Sequence, residues 1–123
     1  MRFSMPHLPH DHGPCFCQSF DHMPKNEDFL VISDVFKQMA DPTRIRIFWL
    51  LCHCRICVAN LSALMEMSSP AVSHHLKQLK AAGLIVSHRE GKEVHYRAAD
   101  NAQAQLLHAM IENMVEIACP IAK

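Results

Sequence analysis

Residues 68–98, SSPAVSHHLKQLKAAGLIVSHREGKEVHYRA, decide how the rest of the chain is read. Ser68 or Ser69 can cap a helix, because a serine oxygen accepts from an orphan N–H of the first turn. Pro70 falls near N1, where its missing N–H costs nothing. Val72, Leu76 and Leu79 follow at i, i+4 and i+7 as one apolar stripe, with Ser69, Ser73, Lys77 and Lys80 on the opposite face. Gly83 is a natural helix stop. Residues 84–89, a tight Glu90-Gly91-Lys92 turn, and residues 93–98 with Val94 and Tyr96 alternating predict a short β-hairpin. Taken alone, the pattern also fits an ordinary amphipathic helix beside a hairpin, its charges simply solvated.

The helices upstream decide between those readings. Residues 27–39 predict a first helix, with Phe29, Ile32, Phe36 and Met39 serving the core or a dimer contact. Asp41 and Pro42 supply an N-cap and an N1 proline for a second helix running to about Cys52. Ile45, Ile47, Phe48, Leu50 and Leu51 make it apolar nearly all round, which predicts central burial. The run Cys52-His53-Cys54-Arg55-Ile56-Cys57 ends it. Residues 58–65 predict a third helix with Val58, Leu61, Leu64 and Met65 buried. Met67-Ser68-Ser69 is then a turn, and residues 69–82 form the second helix of a helix-turn-helix. In that motif the second helix lies in the major groove, with its N-terminal residues at base edges. A last helix from about Asn101 to Ala118 repeats Leu106, Met110, Met114 and Ile117. So small a domain cannot cover that face, which predicts a homodimer through the first and last helices. The expected fold class is mainly α with a small β-hairpin wing: a winged helix-turn-helix in the order α-α-α-α-β-β-α.

Composition narrows the function classes. A chain of 123 residues, half of them apolar, suits one domain with a real core. No apolar run approaches the ~20 residues that span a bilayer. The N-terminal residues lack the apolar core of a secretory signal, so the expected location is the cytoplasm and no membrane partner is expected. The formal charge is zero, yet residues 69–97 hold Lys77, Lys80, Arg89, Lys92 and Arg97 against Glu90 and Glu93. A locally basic stripe on a neutral protein suits docking one face on duplex DNA. No Gly-rich phosphate loop and no nucleophile–base pair is recognisable, so an enzyme is not expected, and no small organic substrate is indicated. Six cysteines and ten histidines point to metal or redox chemistry rather than disulfides. Residues 1–24 show no helical or strand period and are expected to be a flexible arm bearing His7, His10, His12, Cys15, Cys17 and His22. The DNA-binding and dimerisation domain is expected at 25–119 and a short tail at 120–123.

The sequence resembles the ArsR/SmtB family of bacterial winged-helix repressors. The resemblance is carried by residues 41–47 (DPTRIRI), 57–61 (CVANL), 68–76 (SSPAVSHHL), 79–85 (LKAAGLI) and 89–97 (REGKEVHYR). It implies a dimer that sits on operator DNA and leaves when an inducer binds, often a metal or metalloid ion. Ser69, Ser73 and His74 would reach base edges, and Lys77, Arg89, Lys92 and Arg97 would neutralise phosphates. One family ion site opens the third helix with a Cys-Val-Cys-Asp-like motif. Cys57 keeps its first thiol, whereas Ala59 and Asn60 replace the other ligands. Cys52, Cys54, Cys15 and Cys17 could compensate, and a three-sulfur pocket would suit arsenite, antimonite, cadmium or lead, with histidine shifting preference towards zinc or cadmium. The family site on the last helix keeps Asp100 and Glu116 but has Ala102 and Asn113 where histidines belong. A shifted site from His108, Glu112, Glu116 and Cys119 is a weaker candidate, against a plain solvated helix face. The expected function is an ion-released repressor, the fold itself requiring no ion. The alternative is a thiol redox switch using Cys15/Cys17 or Cys54/Cys57.

Overall fold

The computed structural model describes residues 7–13 and 15–119. The chain divides into an N-terminal unit, residues 1–33, and a larger unit, residues 34–123. The first holds α1 (Cys15–Asp21) and the start of α2 (Asn26–Gln38). The expectation that no helix precedes residue 25 is corrected by α1. Its seven residues contain neither glycine nor proline, and Pro14 and Pro24 flank it, so the helix-permissive run between them closes into a short helix. α2 opens where the Lys25 N–H donates to Asp28 Oδ2 at 3.1 Å, half of a capping box. Its Phe29, Leu30, Val31 and Ile32 are exposed.

The larger unit is built on α3 (Pro42–His53). Asp41 Oδ1 accepts from the Thr43 and Arg44 N–H groups at 2.9 and 3.2 Å, so the predicted cap is formed. Those bonds, that to Arg44 first, hold the Asp41 carboxyl below its usual range. Ile47, Phe48 and Leu51 are buried, and Ile45 and Leu50 half-buried, while Trp49 stays exposed. β1 (Ile56–Cys57) follows, then α4 (Val58–Met65), α5 (Ser69–Ala81), β2 (Ile85–Glu90), β3 (Glu93–Ala98) and α6 (Ala102–Ala118). Leu61 and Met65 of α4 enter the core, but Leu64 is 59% exposed, contrary to expectation. Leu64 stands about 100° around α4 from the adjacent Met65, which is the residue that takes the core-facing position.

β1 is an element the sequence does not predict. It adds to the hairpin in the strand order β1-β3-β2, pairing Ile56 with Tyr96 and Cys57 with His95. The hairpin turns through Gly91-Lys92, with Glu90 opposite Glu93. Gly91 takes φ +62°, at the first central position where a two-residue hairpin loop accepts glycine readily. Val72, Leu76 and Leu79 of α5 are buried, as their spacing predicts, and pack with Phe48, Ile47, Leu61 and Leu84 in one core. Ala104 and Leu107 bring α6 onto it. Asn101 caps α6 by accepting from the Ala104 N–H at 2.8 Å, and its Nδ2 donates to Gly83 O at 3.0 Å. One side chain thereby ties the end of α5 to the start of α6. This is the winged helix-turn-helix expected from the sequence, with a third strand added to its wing.

Candidate functional site

The face of α5 that does not enter the core is open. Ser68 Oγ caps the helix by accepting from the Ala71 N–H at 3.3 Å. Ser69, Ser73, His74 and Lys77 are all exposed, and Ser69 Oγ lies 3.1 Å from Ser62 Oγ of α4, which joins the two helices of the motif. His75 has a different role. Its Nδ1 accepts from Arg44 Nε at 3.1 Å. Arg44 is nearly buried, and its Nη1 donates to Gln38 Oε1. Burial holds His75 below the ordinary imidazole range; Asp41 opposes that shift, and Arg44 and His74 add to it. A neutral His75 thus pins α5 onto α3, while its neighbour His74, whose ring centroid lies 5.7 Å from that of His75, is exposed on the outer face.

The wing has two faces of different character. Lys80 Nζ donates to Ser87 Oγ at 2.7 Å, so the face of β2 carrying Ser87 and Arg89 adjoins α5. Arg89 Nη1 donates to Gly91 O at 3.3 Å, which places the guanidinium at the turn with exposed Lys92. Arg97 pairs in register with Val86, on the opposite face, where Arg55 and Glu90 form an ion pair at 3.0 Å. There Arg97 lines a cleft with Cys52, Cys54 and His108. Six of the seven residues expected at DNA therefore lie on α5 or the α5-side and tip of the wing, and Arg97 does not join them. The strand period of two explains the separation: residues 94 and 96 share one face, and 97 takes the other.

Within the larger unit, Cys52, Cys54 and Cys57 form no three-ligand group among the described residues. Cys57 is buried on β1 at the start of α4. Cys54, exposed at the end of α3, donates from Sγ to Leu50 O at 3.5 Å. Cys52 is half-buried, and burial, helped by the charge of Glu112, pushes its thiol up to about 11. A thiol so held is protonated at neutral pH and a weak ligand or nucleophile. Cys52 is in the last turn of α3, Cys54 is its C-cap and Cys57 is on β1; Cys52 and Cys54 line one cleft, while Cys57 is buried. Cys17 lies exposed on α1 of the other unit, and the side chain of Cys15 lies outside the described residues.

What converges instead is His53 of α3 with His108 and Glu112 of α6. His108 Nε2 lies 3.2 Å from His53 Nε2 and 3.1 Å from Glu112 Oε1, and His53 Nε2 lies 3.4 Å from the same oxygen. Trp49 Nε1 donates to that oxygen at 3.0 Å, and its ring packs on His53 with centroids 4.1 Å apart. The Trp49 bond, then those of His108 and His53, hold the Glu112 carboxyl below its usual range against partial desolvation. Of the weaker candidate set, His108 and Glu112 thus meet a partner. Asp100 instead accepts from Gln105 Nε2 at 3.1 Å, Cys119 follows the last turn of α6, and Glu116 is not in the cluster. His53 was not among the sequence's candidate ligands. The available signal was a pair of i, i+4 spacings, Trp49/His53 and His108/Glu112, each placing two polar groups on one helix face.

A profile of the family described as "Bacterial regulatory protein, arsR family" matches residues 41–87, the span from the cap of α3 into β2. The chain is 36% identical over 91 residues to the HTH-type transcriptional repressor SmtB of Mycobacterium tuberculosis, covering 74% of this chain and 67% of that one. It is similar also to the arsenical resistance operon repressor of Escherichia coli, 38% identical over 77 residues, covering 62% of this chain and 66% of that one. The chain thus spans about two thirds of the length of these relatives. Its fold is similar to a homodimeric winged helix-turn-helix DNA-binding domain from Mycobacterium bovis, with a TM-score of 0.66 at 25% identity, covering 76% of this chain and 88% of that one. No helix among the described residues is long and apolar enough to cross a membrane. The capped helix pair, the winged sheet and these likenesses agree: the chain belongs to the arsR family of bacterial regulatory proteins, a family of transcriptional regulators rather than enzymes.

Proposed function

We propose that the chain is a transcriptional repressor that binds duplex operator DNA as a homodimer and is released by a metal or metalloid ion. The observation that carries the DNA reading is the division of α5. Val72, Leu76 and Leu79 are sunk in the core, and Ser69, Ser73, His74 and Lys77 stand on the open face with Arg89 and Lys92 beyond them on the wing. A helix held by its back and free along its front is what major-groove reading requires. The serines and His74 supply groups for base edges, and the cations supply phosphate contacts. Dimerisation is supported by the uncovered apolar side chains of α6, with Leu106 60% and Ile117 80% exposed, and by the homodimeric M. bovis domain. Ion release is supported by the E. coli arsenical resistance relative and by a ligand cluster between α3 and α6. Among the described residues the convergent ligand atoms are nitrogen and oxygen, which suit a borderline divalent ion.

Binding of the full chain to duplexes from its own upstream region, followed by fluorescence anisotropy across a salt series, tests this. The expected result is saturable binding to a palindromic duplex whose log affinity falls linearly with log salt. Binding no tighter to that duplex than to scrambled DNA would overturn the repressor reading.

A further inference from the structure

The triangle formed by His53 Nε2, His108 Nε2 and Glu112 Oε1 has sides of 3.1, 3.2 and 3.4 Å. Protons alone satisfy it poorly: the carboxylate only accepts, and each neutral imidazole offers a single N–H. A tetrahedral ion with bonds of about 2.0–2.1 Å to nitrogen and oxygen separates neighbouring ligand atoms by about 3.3–3.4 Å. The triangle therefore has nearly the dimensions of one face of such a site. Trp49 holds Glu112 Oε1 from outside, and its ring steadies His53, so two of the three ligands are oriented by an outer partner. The side chains of His53, His108 and Glu112 are 44%, 30% and 48% exposed, so solvent reaches the cluster.

We propose that His53, His108 and Glu112 bind a divalent ion of the zinc, cobalt and nickel class, with water completing its shell, and that the ion acts on α5 through α3. Two imidazoles and a carboxylate suit borderline ions, whereas arsenite and lead favour sulfur. The ion joins the end of α3 to the middle of α6 within one protomer. α3 is also the helix whose Arg44 grips His75 of α5. Clamping α3 to α6 thus fixes the support of the DNA-reading helix against the helix assigned to the dimer. This second half rests on the repressor reading; the ion site does not.

Titration of the reduced full chain and of each variant with cobalt(II) separates the possibilities, the difference between the native and His108→Gln spectra isolating the bands of this site. Expected are ligand-field bands without a sulfur-to-metal charge-transfer band. His108→Gln, Glu112→Gln and His53→Gln should each weaken that binding about tenfold or more, with unchanged circular dichroism. Cys57→Ser should leave it as it was. A charge-transfer band lost with Cys57→Ser, or equal cobalt affinity in the native chain and all three cluster variants, overturns the site. In parallel, cobalt should weaken operator binding about fivefold or more in the native chain and not in His108→Gln. An equal cobalt response in both overturns the coupling through α3. A chain that shows the cobalt bands but binds no duplex, with or without metal, overturns the repressor reading and leaves the site standing.

Discussion

α5 takes its cap from Ser68, its buried stripe from Val72, Leu76 and Leu79, and its stop from Gly83, all within residues 68–84. The His53–His108 contact instead joins residues 55 positions apart, on two helices separated by the whole helix-turn-helix and wing. The first region is specified by neighbours in sequence and the second by the packing of the completed core. This difference predicts where damage stays local and where it spreads. A change on the open face of α5 should alter DNA contact alone. A change on its buried back should loosen α5, and one at the α3–α5 junction should be felt at both.

The sharpest break in that comparison is Leu76→Ala. Leu76 is 2% exposed, and its truncation should cost about 2–5 kcal/mol in urea unfolding. His75→Ala should cost less, about 1–3 kcal/mol, by taking one partner from the nearly buried Arg44. It should also change the pH response. Because folded His75 is held below the ordinary imidazole range, the unfolded chain takes up its proton first as pH falls through about 6.5. That term is harmless at higher pH and erodes stability on acidification until the folded value is passed. Urea melts at about pH 7.5 and about pH 5.5 should differ less in His75→Ala than in the native chain. If the two proteins lose equal stability on acidification, His75 is not the group responsible.

Lys77→Ala should leave stability within about 0.5 kcal/mol, because the residue lies on the exposed face. It should nevertheless reduce the slope of log affinity against log salt by about 0.9 for each phosphate contact removed in a protomer. An unchanged slope would take Lys77 off the phosphate backbone. The smallest expected effect compares two helix ends. α5 closes with Gly83 at φ +76°, the Gly83 N–H donating to Lys80 O and that of Leu84 to Leu79 O, both at 3.0 Å. α4 closes in the same way, the Glu66 N–H donating to Ala63 O and that of Met67 to Ser62 O, but with Glu66 at φ +54°. A side chain in the left-handed region is strained and glycine is not, so Glu66→Gly should stabilise by about 0.5–1 kcal/mol. A loss of stability in thermal melts would mean that Glu66 does more than occupy the turn.

Much of the fold is legible because its signals are short-range. Asp41, Ser68 and Asn101 cap the helices whose starts they mark, and Gly91 turns the hairpin. β1 is not legible, since two residues carry no period and become a strand only when β3 presents a free edge at Tyr96 and His95. The open face of α5 is likewise readable from spacing. The position of Arg97 needs the register of the hairpin, because one residue's shift exchanges the faces of a strand.

By itself the sequence determined the helix-turn-helix, the wing and the basic stripe, since caps, apolar periods and turn residues act over a few positions. The tertiary structure alone decided which of the many cysteines and histidines meet. Cys52, Cys54 and Cys57 are neighbours in the chain, but a last helical turn, a helix cap and a buried strand carry them, and they form no three-ligand group among the described residues. His53, His108 and Glu112 are distant in the chain, and the packing of α6 beside α3 brings them within one ion's reach. The physical reason is that a ligand set is defined by where side chains point. Their direction is set by the element that carries each residue and by the core that element packs against.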